Sequence, residues 1–280
     1  MRATLLVLAA AGLWATSGFF VKSPALAMIE PVSERGPMLA CWRALFAAAI
    51  LAPFVPWRQV RLTRRLWPLL FSFAGMNVTF VTAMTLADAG DAITLQHVAP
   101  LWVVVAGLLG WGEAAKRRDT FPLLLGLSGI AVIAFGASES GAGWGAVLAL
   151  IAGLCYAGVI LSLRALRDVD SYWLIFLAQL VSGLVLLPFA HGLHLSVSTV
   201  QWGWIAAFAL VQMAAPYILF ARGLRGLSAQ RASLLALAEP VLNPVLVWFA
   251  WSQPIANHTL LGGGLIIVAL VIQLAQQRHG

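Results

Sequence analysis

Two full charges stand inside long apolar runs of this sequence, Arg43 and Glu239. A charge among lipid-facing residues is costly and is kept where it meets a partner or a wet cavity. Arg43 has the forked donors that hold an anion such as a carboxylate; a structural pairing with Glu239 or with helix carbonyls is the alternative. Glu239, beside Pro240, suits proton coupling, or else steadies a helix break at that proline. Gln96, His97 and Pro100 cluster in a second run. Pro100 removes a backbone hydrogen bond and loosens a helix there. His97 is of the type that titrates near neutrality, though it equally serves as a plain hydrogen-bonding residue. Asn77 sits in the middle of a third run, and Asn243 lies one turn after Glu239 on its face. Thr79, Thr82 and Thr85 follow Asn77, where threonine commonly bonds its own helix. Trp14, Trp42 and Trp102 also lie deep, either lining an apolar cavity for amphipathic cargo or packing against lipid. Tyr156 and Gln179 are weaker candidates of the same kind.

Other chemistries lack their residues. No glycine-rich phosphate loop with its lysine is present, so no ATP motor and no cofactor is expected. Cys41 and Cys155 form neither a metal spacing nor a disulfide framework. No Ser/His/Asp arrangement can be drawn. A membrane-embedded enzyme acting on lipid would need an acidic or histidine cluster, and Asp88 and Asp91 are isolated.

The elements that carry these residues follow from composition. Of 280 residues, 61% are hydrophobic and 10% are charged, against about 25% charged in a soluble domain. Such a chain needs lipid to cover its surface. Its net charge of +7 therefore reads as membrane topology rather than as a nucleic-acid surface. Ten apolar runs appear: Ala3–Val21, Gly36–Val55, Trp67–Ala87, Ala92–Trp111, Phe121–Ala137, Trp144–Leu163, Tyr172–Ala190, Trp202–Ala221, Ser233–Trp251 and Leu260–Leu274. Most approach the ~20 residues of a membrane span; the fifth and tenth are short. The first run is longer than the apolar core of a signal peptide, about 7–15 residues, and reads as a retained span.

Basic residues give the orientation. With the N-terminus in the cytoplasm and alternating spans, the inner side holds Arg2; Arg58, Arg61, Arg64 and Arg65; Lys116, Arg117 and Arg118; Arg164 and Arg167; Arg222, Arg225 and Arg231; and Arg278. These are 14, against Lys22 and Arg35 outside. The expectation is an even number of spans with both termini cytoplasmic, in a bacterial inner membrane. Trp57, Trp67, Trp111, Trp144, Trp202 and Trp251 fall at span boundaries, as an aromatic belt would.

The halves also repeat in order. Ala11-Gly12-Leu13 reads against Ala152-Gly153-Leu154, Leu51-Ala52-Pro53-Phe54 against Leu186-Leu187-Pro188-Phe189, and Val98-Ala99-Pro100-Leu101 against Ala238-Glu239-Pro240-Val241. Gly126 and Gly129 answer Gly262–Gly264. Five spans per half forces the second half to enter from the opposite side. An inverted repeat suits alternating access around a central site.

The stretch Asn77-Val78-Thr79-Phe80 through Pro100, with Gly112-Glu113 and Gly126-Leu127-Ser128-Gly129, resembles the drug/metabolite transporter superfamily, EamA type. Ala40-Cys41-Trp42-Arg43-Ala44-Leu45 resembles that family's arginine-bearing second helix, and Glu239-Pro240-Val241 its second-repeat signature. Where the family's ninth helix ends in Gly-Glu, this chain has Ser252-Gln253. The resemblance implies an all-α membrane protein of ten helices in two inverted repeats, residues 1–137 and 143–280, around a central cavity. It also implies export of amino acids, other metabolites or toxic compounds.

The expected function is therefore secondary transport of a small amphipathic solute, with export favoured over import and the coupling ion open. The expected partners are solute and bilayer, with protons as a candidate, no nucleic acid, no metal, and a monomeric or weakly self-associating state. The pathway set is Arg43, Asn77, Gln96, His97, Trp14, Trp42, Trp102 and Asn243, with Glu239 for coupling and Pro100 and Pro240 as hinges.

Overall fold

The structure, a computed structural model, describes residues 1–86, 89–113, 117–138, 143–190, 197–252 and 254–278. Asp88, Lys116, Glu139 and Gln253 lie outside these residues. All regular elements among the described residues are helical. Ten helical units cross in sequence: α1 (Arg2–Val21), α2 (Glu34–Phe54), α3 (Arg64–Leu86), α4 (Ala92–Leu108), α5 (Arg117–Gly136), α6 (Gly143–Ala165), α7 (Ser171–Pro188), α8 (Thr199–Gly223), α9 (Ala229–Trp251) and α10 (Asn257–Gln276). Nine are long and apolar enough to span a membrane, and α4 is a shorter apolar unit. This is a ten-helix membrane fold.

The fifth and tenth units run longer than their apolar stretches. In α5 the extra turn carries Arg117, Arg118 and Asp119, and Asp119 is held by Arg231 Nε at 3.1 Å to each carboxylate oxygen. That tie lets a charged turn remain helical. The fourth unit is shorter than expected, ending at Leu108 rather than Trp111. Gly110 there adopts a positive φ of 80°, which turns the chain.

Three units are interrupted. α4 breaks between Gln96 and Ala99, and α9 breaks at Leu237. In each case a proline follows, Pro100 or Pro240, and it cannot donate to the carbonyl four residues earlier. α1 breaks at Ala15–Thr16 without a proline. α8 remains helical but passes through a π-helical stretch, Ala209–Ala214. Pro216 explains the loosened turn, since its ring excludes an ordinary bond to the Gln212 carbonyl.

The helices pack in pairs that exchange under a shift of five: α1–α8 with α6–α3, α2–α8 with α7–α3, and α1–α9 with α6–α4. The pairs α2–α7 and α5–α10 map onto themselves. Close approaches use small residues. Gly129 and Gly262 bring the α5 and α10 backbones together, and Leu45 lies over Gly183 between α2 and α7.

One face carries the N-terminus and the start of α9; we call it the terminal face. Its loops are tied to one another. Arg65 bonds the Ala165 carbonyl, Arg164 the Leu224 carbonyl, and Arg225 the Val169 carbonyl. The basic segments assigned above to one side thus share a face.

Two apolar clusters divide the bundle. One runs through Trp14, Ala47, Met76, Ala99 and Tyr156 toward the terminal face; the other runs through Phe20, Cys41, Phe80, Ile93 and Ala152 toward the opposite face. Arg43, Asn77, Gln96 and His97 fall in the seam between them, as do Gln179 and Ser182. The polar residues therefore form one layer at mid-depth, with apolar packing on either side.

Candidate functional site

Arg43 is 2% exposed, although it lies ~12 Å from the end of its apolar run at 1.5 Å per residue. Its side chain is fixed by amide oxygens. Nε and Nη2 donate to Asn77 Oδ1 at 3.1 and 2.6 Å, and Nη1 donates to Gln212 Oε1 at 2.6 Å. Asn77 is itself anchored, donating from Nδ2 to the Ala40 carbonyl and to Ser182 Oγ. The guanidinium also lies 5.0 Å from the centre of the Phe208 ring. Among the described residues no carboxylate comes within 4.0 Å of it. Arg43 is thus a buried cation with neutral partners only, an arrangement that draws a negative group toward its free N–H bonds.

Glu239 sits just past the break in α9 and faces the same space. Its Oε2 is 3.4 Å from His97 Nε2 at the break in α4. Trp14, Tyr156 and Tyr217 complete the wall. Trp14 meets Tyr156 and Tyr217 edge-on at 5.9 and 4.9 Å between ring centres. A small cavity is lined by Trp14, Arg43, Tyr156, Tyr217 and Glu239 with Met76, Phe80, Gln96 and Gln212. It leaves about 10 Å³ for the centres of water-sized molecules, the room of a single water. Trp14 Nε1 and Tyr156 Oη are buried without a hydrogen-bond partner. Two unused donors beside an unpaired cation make a site suited to a carboxylate.

Aromatic stacks and an ion pair tie the helices toward either face. Toward the opposite face, Phe20 stacks on Phe208 at 5.0 Å and Phe19 on Trp251 at 5.4 Å. Toward the terminal face, two clefts of about 440 and 330 Å³ share Glu113 and Arg164 as lining residues. Arg164 donates to Glu113 Oε1 from Nε and Nη2 at 2.9 and 2.6 Å. Nearby, the Asp168 carboxyl is held below the usual carboxylate range, chiefly by a backbone amide hydrogen bond and further by Arg65.

A match covers nearly the whole chain: residues 1–135 and 143–275 fit the EamA-like transporter family. The chain belongs to that family. Among named relatives of this EamA-like chain is the pseudopaline exporter CntI of Pseudomonas aeruginosa, 26% identical over 79% of each chain. The threonine/homoserine exporter RhtA of Escherichia coli is 27% identical over 81% of this chain and 77% of its own. A solved crystal structure superposes with a TM-score of 0.78 at 18% identity, covering 97% of this chain and 98% of that one; it supports the fold. The EamA-like chain is accordingly a multi-pass membrane protein of a transporter family that includes exporters.

The structure brings Trp14, Arg43, Gln96 and Glu239 to one cavity, with His97 and Asn77 directly behind Glu239 and Arg43. Pro100 and Pro240 follow the two helix breaks. Three expected pathway residues lie elsewhere. Trp102 is 39% exposed on the outside of the bundle, because α4 buries the stripe Ala99, Val103 and Ala106 instead. Trp42 packs edge-on against Trp202 at 5.0 Å, within the cluster of the opposite face. Asn243 bridges the break in α1, donating to the Ala15 carbonyl at 2.6 Å and to Ser17 Oγ at 3.3 Å. Arg43 and Glu239 make no direct ion pair. Trp202 and Trp251 are half-buried against neighbouring helices, and Trp251 Nε1 donates to the Phe19 carbonyl at 3.1 Å. Trp57, Trp67, Trp111 and Trp144 are exposed.

The cavity residues that sequence reading passed over are Gln212, Tyr217, Met76 and Phe80. Gln212 was legible by the rule that singled out Asn77, as a lone amide in an apolar run. The other three are apolar or aromatic residues in spans full of them, and nothing in their spacing marks them.

Asn243 carries the first test. Asn243→Leu leaves the Ala15 carbonyl without its donor, and an unsatisfied buried group costs ~1–3 kcal/mol. A lower melting temperature of the detergent-solubilised protein is expected. A melt equal to wild type would show that the break in α1 holds without it.

Proposed function

We propose that this chain is a secondary exporter of a small zwitterionic metabolite, working by alternating access in a bacterial inner membrane. The observation that carries this reading is a small cavity at mid-depth with Arg43 on one wall and Glu239 on another. The unused donors of Arg43, Trp14 and Tyr156 suit a carboxylate. Glu239 suits an ammonium, and the rings of Trp14, Tyr156 and Tyr217 suit a cation or an apolar side chain. The exporters among the relatives, one named for threonine and homoserine, support an amino acid or a close derivative as cargo.

Residues 1–137 and 143–280 act in this reading as two inverted repeats. The five-helix shift that exchanges α1–α8 with α6–α3 supports it. Opening toward the terminal face parts Glu113 from Arg164; opening toward the opposite face parts the Phe20–Phe208 and Phe19–Trp251 stacks. Both termini are cytoplasmic by the positive-inside rule. The larger clefts then face the cytoplasm, where an exporter collects its solute.

Counterflow in liposomes tests this reading. Vesicles preloaded with an unlabelled L-amino acid should take up the same labelled compound, for at least one member of the twenty standard amino acids. Uptake no faster than in protein-free vesicles across the whole set would sink it.

A further inference from the structure

We infer that His97 and Glu239 form a single proton-binding site that a substrate ammonium empties, so that proton and solute occupy Glu239 in turn. The inference rests on the transport reading above for its solute, and on the geometry of the dyad for its proton. His97 Nδ1 lies 2.7 Å from the Ile93 carbonyl. A carbonyl only accepts, so Nδ1 carries a hydrogen in every charge state of the ring. The variable proton is therefore on Nε2, which lies 3.4 Å from Glu239 Oε2, at ion-pair distance, and has no other hydrogen-bond partner among the described residues.

Two arrangements then share one proton: imidazolium with carboxylate, or neutral imidazole with carboxylic acid. Each leaves the dyad neutral. Removing the proton leaves a carboxylate facing an imidazole lone pair, a net negative charge in a cavity with room for no more than about one water. An ammonium entering the cavity supplies the missing positive charge, and the freed proton leaves to whichever face is open.

The surroundings fix the sign. The titratable or charged groups facing the dyad from the other packed helices are Arg43 on α2, Tyr156 on α6 and Tyr217 on α8. His97 and Tyr156 rings meet edge-on, 6.0 Å between centres. α1 and α3 present Trp14, Met76 and Phe80 there, which carry no charge. Arg43 is the one fixed cation among them, and its charge is balanced by a substrate carboxylate rather than by Glu239. With the dyad protonated and no solute, the layer carries one net positive charge. With a zwitterion bound and the proton gone, Glu239 and Arg43 offset each other and the layer is neutral. The exchange therefore trades a positive layer for a neutral one, and each proton moved against a zwitterion carries one charge across the membrane. Both groups also stand at helix breaks, His97 in α4 and Glu239 after Leu237 in α9, where a change in their contact is passed to the segments that must move.

The test uses the full chain in proteoliposomes with the twenty L-amino acids as probes. For an amino acid that exchanges at equal pH, a pH gradient of one unit, with the membrane potential held at zero by valinomycin and equal potassium on both sides, should drive accumulation of about tenfold toward the acidic side, as one-for-one exchange requires. Glu239→Gln and His97→Gln should each abolish the response to the gradient. Exchange in the wild type with no response to the gradient overturns the inference while leaving the transport reading intact. A response that survives in both variants overturns it as well. If no amino acid exchanges, the transport reading fails, and infrared titration of the purified protein judges the dyad. The carboxylic acid band lost in E239Q should titrate at a different pH in H97Q. A band indifferent to His97 overturns the shared proton.

Discussion

Arg43→Leu is expected to abolish solute exchange and to lower the melting temperature of the solubilised protein. Leucine removes the cation that draws a carboxylate into the cavity, so the loss falls on binding itself. It also strips Gln212 Oε1 of its Arg43 donor and Asn77 Oδ1 of both of its Arg43 bonds. Leaving such buried acceptors unsatisfied costs ~1–3 kcal/mol each, partly offset because a buried cation no longer has to be desolvated. Arg43→Lys separates the two effects. Lysine keeps the charge but cannot reach Asn77 and Gln212 together as the planar fork does. Its exchange should fall by about tenfold or more, the loss of one good charged hydrogen bond, with a smaller drop in melting temperature than leucine causes. Counterflow and thermal melting read the two quantities independently. Wild-type exchange in Arg43→Leu would reduce Arg43 to a strut between α2, α3 and α8.

Gly129→Val should damage the fold most among the apolar substitutions considered. A Cβ at Gly129 would stand 2.6 Å from the Gly262 carbonyl oxygen on α10 and 2.8 Å from Ile266 Cγ1. The first obstacle is backbone, so only a separation of α5 from α10 relieves it. Overpacking of this kind costs ~1–3 kcal/mol, and valine adds two methyl groups beyond that Cβ. Gly263→Val is the matched control, since a Cβ there meets nothing within 4 Å. Thermal melting should show a large drop for Gly129→Val and almost none for Gly263→Val. Equal melts would mean that the helices separate at little cost.

The two glycines look alike in sequence, both small residues in the fifth or tenth apolar run. Their difference is one of helix face, which sequence spacing leaves undetermined in spans so uniformly apolar. The same limit explains the misplaced tryptophans. Trp14 and Trp102 are both deep aromatic residues, yet Trp14 lies among Tyr156, Tyr217 and Phe220 while Trp102 faces outward. In a soluble helix the polar side reveals which side is buried. A membrane helix is apolar on both, so that signal vanishes.

Where a polar or charged residue interrupts an apolar run, the sequence did determine its fate. Arg43, Asn77, Gln96, His97 and Glu239 are all buried in the layer between the two apolar clusters, because lipid offers such groups no partner and other helices do. The prolines likewise set the helix breaks at His97–Val98 and Leu237, since a missing backbone donor acts locally. Span number followed from hydrophobic length alone, with nine long units and α4 close behind. Which polar groups meet was decided by the tertiary structure. It took Arg43 away from Glu239, gave it to Asn77 and Gln212, and set His97 against Glu239 instead. Those partners lie 34, 169 and 142 positions apart, and only the packing of α2, α3 and α8, and of α4 against α9, brings them together.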